Sequence, residues 1–264
     1  IDADHLDFFK DLDDIRRSFR KFAELLPEDG ALIINADIPD LDAFTEGLKC
    51  KVIRYGNDSS LDYSATNILH DNVGDASFDL VKSGIFMDRI SLSVNGDHNV
   101  SNALAAIAAC DILGVPVETI KQGLKAFTGT KRRFEYKGEI NGITVIDDYA
   151  HHPTEIRAAL EAARHYPHQE IWCVFQPHTY TRTKALFADF VSALSTTDHV
   201  ILADIYAARE TDTLGISSGD IASALKEQGC DAYYFSSFEE IESFWLRQCK
   251  QGDLVITMGA GDGG

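Results

Sequence analysis

Gly142-Ile143-Thr144-Val145-Ile146-Asp147-Asp148-Tyr149-Ala150-His151-His152-Pro153-Thr154-Glu155 reads as a strand that runs straight into a helix. β-branched residues follow an Asn141-Gly142 turn signal, Pro153 suits a first helical position, and Glu155 falls in the first turn. The polar cluster therefore sits at a strand's carboxyl end, where open α/β sheets bind their ligands. Helix capping accounts for part of it, with His152 as the cap, Glu155 against the dipole, and Asp147 and Asp148 in turn bonds. A cap needs one or two such groups, whereas this stretch crowds two carboxylates, a phenol and two imidazoles together.

Outward from this stretch, the pattern is a regular α/β alternation. Strands are expected near Thr144–Asp148, Ile171–Gln176, Val200–Ile205, Ala232–Phe235 and Leu254–Met258, with helices between them, which implies a mostly parallel, doubly wound sheet. Its strand ends read Asp148-Tyr149-Ala150-His151, Gln176-Pro177-His178-Thr179-Tyr180-Thr181-Arg182, Asp204-Ile205-Tyr206 and Gly259-Ala260-Gly261-Asp262. Chemistry is expected at that edge. Before Gly129 the rhythm differs. Ile15, Phe19, Phe22, Ala23 and Leu26 follow helical spacing, Ala31–Asn35 reads as a strand, and Lys51–Tyr55, Asp62–Leu69, Phe78–Lys82 and Ile85–Val94 are strands with little helix between them, a small antiparallel addition. An alanine-rich helix over Asn99–Leu113 stops at Gly114, and a second runs from after Pro116 to about Phe127. The boundary between the two parts falls near Gly129-Thr130.

A chain of 264 residues holds one large or two ordinary domains. No apolar run reaches the length of a membrane span, and the first residues carry neither the basic start nor the apolar core of a signal peptide. A net charge of -18 argues against nucleic acid as a partner. The five cysteines show no CxxC pair and read as reduced thiols of a cytoplasmic protein.

Three further motifs bear on function. Asp97-His98-Asn99-Val100-Ser101-Asn102 opens the alanine-rich helix, and its asparagines, about one turn apart, suit either capping or a nucleotide base or phosphate. Lys131-Arg132-Arg133 is either a solvated charge run or, at the domain junction, the source of one arginine for an anion. Asp4-His5-Leu6-Asp7 offers an imidazole and hard oxygen ligands to a divalent cation. Gly259-Ala260-Gly261-Asp262-Gly263-Gly264 matches GxGxxG after a strand, but neither a helix nor a ribose-binding acid follows it, so it reads as a glycine-rich strand exit.

Taken together, these motifs resemble the Mur ligase family of ATP-dependent amide-forming enzymes. Asp4-His5-Leu6-Asp7, His98-Asn99-x-x-Asn102-Ala103-Leu104-Ala105-Ala106, Arg132-Arg133-Phe134-Glu135, Asp147 to Glu155, and Gln176-Pro177-His178-x-Tyr180-x-Arg182-Thr183 occur in the family's order and spacing over nearly the whole chain. The resemblance implies the later part of a central ATP-binding domain over 1–129 and a Rossmann-like carboxyl-terminal ligase domain over 130–264. Within the family, DDYAHHPTE and QPH point to the branch that joins L-alanine to the carboxylate of UDP-N-acetylmuramate, through an acyl phosphate, in peptidoglycan precursor synthesis. ATP and Mg2+ are the implied cofactors.

By the same resemblance, His5 is a magnesium ligand. His98, Asn99, Asn102 and Asp148 contact the nucleotide, and Arg133 reaches the ATP phosphates as a catalytic group. Tyr149, His151, His152, His178 and Arg182 form the amino-acid pocket, with His151 also assisting deprotonation of the ammonium. Thr179 stands where some relatives carry arginine, which shifts carboxylate recognition onto Arg182. No GxxxxGK[ST] loop occurs in these residues. The expectation is a fragment of the ligase, inactive alone. Open alternatives are a relative that attaches a recycled peptide, a metal-dependent hydrolase, and a non-catalytic nucleotide-binding module.

Overall fold

The computed structural model describes residues 1–2, 8–72, 74–211 and 214–261, which fall into two compact units: 1–71 with 75–128, and 129–264 with 72–74. The first unit runs α1 (Leu12–Ala23), β1 (Ala31–Asn35), α2 (Leu41–Thr45), β2 (Lys51–Gly56), β3 (Tyr63–His70), β4 (Asp75–Lys82), β5 (Ile85–Asn95), α3 (Asp97–Ile112) and α4 (Val117–Ala126). Its sheet has the order β1-β2-β3-β4-β5, parallel over the first three strands and antiparallel over the last three. The expected antiparallel addition is therefore present. Ile53, Phe78, Leu80, Ile90 and Leu92 from the sheet pack against Val100, Leu104 and Ile107 of α3 and Ile120 of α4. The spacing i, i+4, i+7 on α3 places those three side chains on one face, which is why an alanine-rich helix docks here.

The second unit runs β6 (Glu135–Ile140), β7 (Ile143–Asp148), α5 (Pro153–His165), β8 (Ile171–Phe175), α6 (Tyr180–Ala185), α7 (Phe187–Leu194), β9 (His199–Leu202), α8 (Ser218–Glu227), β10 (Asp231–Tyr234), α9 (Phe238–Gln248) and β11 (Leu254–Met258). The sheet order is β10-β9-β8-β11-β7-β6, with all neighbours parallel except β6 on β7. From β7 to β10 the crossovers travel one way across the sheet, and α9 returns the chain so that β11 enters between β8 and β7. Right-handed crossovers then put α5, α7 and α8 on one face and α9 on the other. The two cores follow this rule. Ile171, Cys173 and Phe175 join Ile156, Leu160, Phe190 and Ile221 on one side, while Trp172 and Val174 join Ile241, Phe244 and Trp245 on the other.

Two elements lie outside the sequence expectation, α2 and β6. The second is half of a hairpin: Ile140 pairs with Ile143, and Asn141 and Gly142 both take positive φ (55° and 78°), the geometry a two-residue primed turn requires. All five cysteines are free thiols. Among the described residues no helix is long and apolar enough to cross a membrane.

Candidate active site

The registers Asp148 to Met258, Met258 to Phe175 and Phe175 to Leu202 bring the carboxyl ends of β7, β11, β8 and β9 to one edge of the second unit. Asp147 and Asp148, adjacent on β7, point to opposite faces of the sheet, and both are buried. Asp147 accepts from Thr257 Oγ1 at 2.8 Å and from Arg132 Nε at 3.0 Å. Asp148 accepts one backbone N–H on each oxygen, from Ala150 and from Phe134, both at 2.8 Å. Burial pushes the Asp148 carboxyl up, against the pull of those two N–H groups and of Arg133.

The turn that follows builds the start of α5. His152 caps it, its Nδ1 accepting from Thr154 N–H at 3.3 Å, and its Nε2 is buried without a hydrogen-bond partner. Glu155 accepts from the His151 N–H at 3.1 Å and sits 3.4 Å from Arg133 Nη1. Burial raises the Glu155 carboxyl, but the His151 N–H and the charges of His151 and Arg133 outweigh it, and the net direction is down. His152, Glu155 and Asp148 thus make the contacts expected of a cap and its turn, whereas Asp147 instead bonds the side chains of Thr257 and Arg132, and the rings of Tyr149 and His151 are left over.

Those two rings begin a row. Tyr149 and His151 meet edge to face with centroids 5.4 Å apart, His151 and His178 are 6.1 Å apart, and His178 stacks on Tyr206 at 5.7 Å. His178 bridges to Tyr206 through the backbone, where Tyr206 N–H donates to Pro177 C=O and Thr179 N–H to Tyr206 C=O, both at 2.8 Å. Thr179 takes a positive φ of 63° and caps α6, whose first turn presents Arg182; Arg182 Nη1 lies 3.2 Å from His178 Nδ1. These partners set the two tautomers. A carbonyl oxygen only accepts, so His151 Nδ1, 2.9 Å from Tyr149 C=O, carries a hydrogen, and in the neutral ring Nε2 carries the lone pair. Arginine only donates, so His178 Nδ1 accepts and its Nε2 carries the hydrogen.

Arg132 and Arg133 divide in direction. Arg132 Nη2 donates to Gly259 C=O at 2.8 Å and Nη1 to Gly261 C=O at 3.2 Å, in addition to its Asp147 bond, while its guanidinium lies 5.0 Å over the Tyr149 ring. Arg133, half exposed, keeps one ion pair with Glu155. Of the two, Arg133 is the more exposed and the less tied.

In the first unit, Gly96 precedes α3 at φ 89° and supplies no side-chain cap, leaving backbone N–H groups at the helix start. Asn99 Nδ2 donates to Asn95 C=O at 2.8 Å and Asn102 Nδ2 to Asn99 Oδ1 at 3.1 Å, while His98 and Asn102 are exposed. His70 Nε2 lies 2.9 Å from Asp97 in that first turn. His5, with Asp4 and Asp7, lies outside the described residues. Among the described residues no group of three or more His, Cys, Asp or Glu is arranged to hold a metal ion.

Residues 1–110 match the Mur ligase middle domain, and residues 132–261 match the Mur ligase, glutamate ligase domain. The chain belongs to the Mur ligase family. Among its Mur ligase relatives, the UDP-N-acetylmuramate–L-alanine ligase of Lachnospira eligens is 56% identical over 263 residues, taking in 99% of this chain and 57% of that protein. The crystal structure of UDP-N-acetylmuramate-alanine ligase from Thermotoga maritima superposes with a TM-score of 0.76 at 28% identity, over 98% of this chain and 54% of that one. A murein peptide ligase from Psychrobacter arcticus gives 0.64 at 27% identity, over 96% and 53%. The chain therefore spans a little over half the length of the Mur ligases it matches.

The geometry adds three features of this Mur ligase edge that the sequence reading did not assign: Tyr206 as the stacking partner of His178, Arg132 as a tie between strand ends, and the Gly259–Gly261 exit pressed on Gln176. Glycine is required at 259, where φ is 149° and a Cβ would fall 2.9 Å from Gln176 C=O; at Gly261 a Cβ would meet Gln176 Oε1 first and Tyr206 Cγ at 3.1 Å.

Proposed function

We propose that this chain is the nucleotide-side and amine-side part of a ligase that joins L-alanine to the carboxylate of UDP-N-acetylmuramate at the expense of ATP, in the cytoplasm, for peptidoglycan precursor synthesis. Residues 1–129 belong to the ATP-binding domain and 130–264 to the carboxyl-terminal ligase domain. The likeness over almost the whole chain to proteins named for this reaction carries the proposal. In it, ATP transfers its terminal phosphoryl group to the carboxylate, the amine of L-alanine attacks the acyl phosphate, and the tetrahedral intermediate expels phosphate.

The side chains suit these steps. The uncapped start of α3, with His98, Asn99 and Asn102, supplies donors and amides for the nucleotide. Asp148 faces the ribose and Arg133 the phosphates, where a guanidinium offsets charge that builds in the transition state. Arg182 takes the carboxylate of the amino acid, and Tyr149 and His152 shape its pocket. The lone pair on His151 Nε2 suits removal of a proton from the ammonium, and the Nε2–H of His178 suits an oxygen of the same substrate. Magnesium, which would offset phosphate charge when bound, is proposed for the segment holding His5.

The test uses the full-length protein that carries this chain, supplied with UDP-N-acetylmuramate, L-alanine and Mg-ATP. Phosphate release is expected only when all three are present. Release that depends on a peptide amine and ignores L-alanine would favour the murein peptide ligase reading, and no amine-dependent release would remove the ligase reading altogether.

A further inference from the structure

The row of rings described above closes on itself. Tyr149 touches His151, His151 faces His178, and His178 stacks on Tyr206. Gly261 lies against the Tyr206 ring, so that a Cβ there would fall 3.1 Å from Tyr206 Cγ. The carbonyl of Gly261 accepts from Arg132, whose guanidinium returns to cover the Tyr149 face at 5.0 Å. Two more of the Arg132 donors bond Gly259 C=O and Asp147, a buried carboxylate, and Arg133 lies over the same Tyr149 ring farther off, at 5.8 Å.

We infer that Arg132 is a positioning residue of the amine pocket, holding both ends of the ring row, Tyr149 directly and Tyr206 through Gly261. The inference rests on the ligase reading above. Three of its contacts require the planar fork of a guanidinium: two carbonyls on the terminal nitrogens and a carboxylate on Nε. A lysine keeps the charge and the stem but presents a single point donor, and it loses the flat face that covers Tyr149. The damage should therefore appear in how the amine is held and not in how the nucleotide is held. For Arg133, which pairs with Glu155 and lies over the same ring at 5.8 Å, the larger change is expected in the ATP KM.

The experiment measures KM for L-alanine and for ATP in the full-length ligase. Arg132→Lys is expected to raise the L-alanine KM by about ten-fold, a loss of uniform ground-state binding, while leaving the ATP KM within about two-fold. Gly261→Ala meets the Gln176 side chain before the Tyr206 ring, so it is made beside Gln176→Ala; relative to Gln176→Ala alone, the pair should give the same selective change, and an unchanged ATP KM reports an intact fold. In the double variant Arg132→Lys with Tyr149→Ala, the rise in L-alanine KM should be smaller than the product of the two single effects, because Arg132 acts in part through that ring. Equal shifts in both KM values, no shift, or fully additive effects with Tyr149→Ala would overturn the inference. A wild-type protein that releases no phosphate with L-alanine fails at the earlier step, and that result removes the ligase reading and this inference together.

Discussion

Glu155 is held by three groups of different character: the His151 N–H, the Arg133 guanidinium and the His151 ring, whose Nδ1 is 3.4 Å from its carboxylate. Burial alone would raise its pKa, and these partners reverse the direction. A carboxyl whose folded pKa lies below its unfolded value adds stability above the unfolded pKa, and that stability disappears as pH falls through the folded one. The difference in unfolding free energy between the wild type and Glu155→Gln is therefore expected to be largest near neutral pH and to shrink in acid, as read from urea melts at several pH values. A difference that stays flat with pH would mean that Glu155 contributes through shape and not charge. Its neighbour Asp148 works in the other direction. Burial raises that carboxyl, so its ionisation costs stability as pH rises, and the two N–H bonds from Phe134 and Ala150 together with the Arg133 charge limit the cost. The two carboxylates that begin and end one turn thus respond to acid with opposite sign.

At the scale of the element, α5 depends on an imidazole cap where serine, threonine or aspartate is usual. Removing it with His152→Ala is expected to lower stability by about 1 kcal/mol, the ordinary value of a cap, while His152→Asn should retain most of it. Calorimetry on both variants checks this, and equal losses would mean that the ring's packing, and not its Nδ1, is what α5 needs. The elements that were legible in the sequence are those whose apolar pattern matches their burial. Ile171-Trp172-Cys173-Val174-Phe175 is a continuous apolar run and is buried on both faces as β8. β6 was not legible, because Glu135-Tyr136-Lys137-Gly138-Glu139-Ile140 is largely exposed and its register shifts between Tyr136 and Gly138. The Asn141-Gly142 signal beside it marked a turn without revealing that both flanks were strand. α2 escaped for a different reason: its first residue follows Asp40 in a left-handed conformation with no side-chain cap, so it has no start signal. At the site, the strand-end motifs were legible as neighbours because parallel strands deliver their carboxyl ends to one edge. The tie from Arg132 to Gly261 spans 129 residues and was not, since no local pattern encodes such a contact.

At the scale of the molecule, each unit has its own core, one centred on Phe78, Ile90 and Leu104, the other on Ile146, Phe175 and Phe190. Each is large enough to unfold cooperatively, and a chain with two such cores departs from two-state behaviour. Two transitions are expected in differential scanning calorimetry. Leu104→Ala should lower one and Leu160→Ala the other, each by about 2–5 kcal/mol. A single transition moved by both would show one cooperative block. The order of the second sheet has a consequence for how the protein is made. β11 lies between β7 and β8, yet among the six strands of this sheet it is the last to be synthesised, so β7 and β8 wait for a partner roughly 80 to 110 residues downstream. At about 5–20 residues per second, that slot stays open for roughly 5–20 s on the ribosome, with the inner edges of β7 and β8 unpaired and open to chaperones or to other nascent chains.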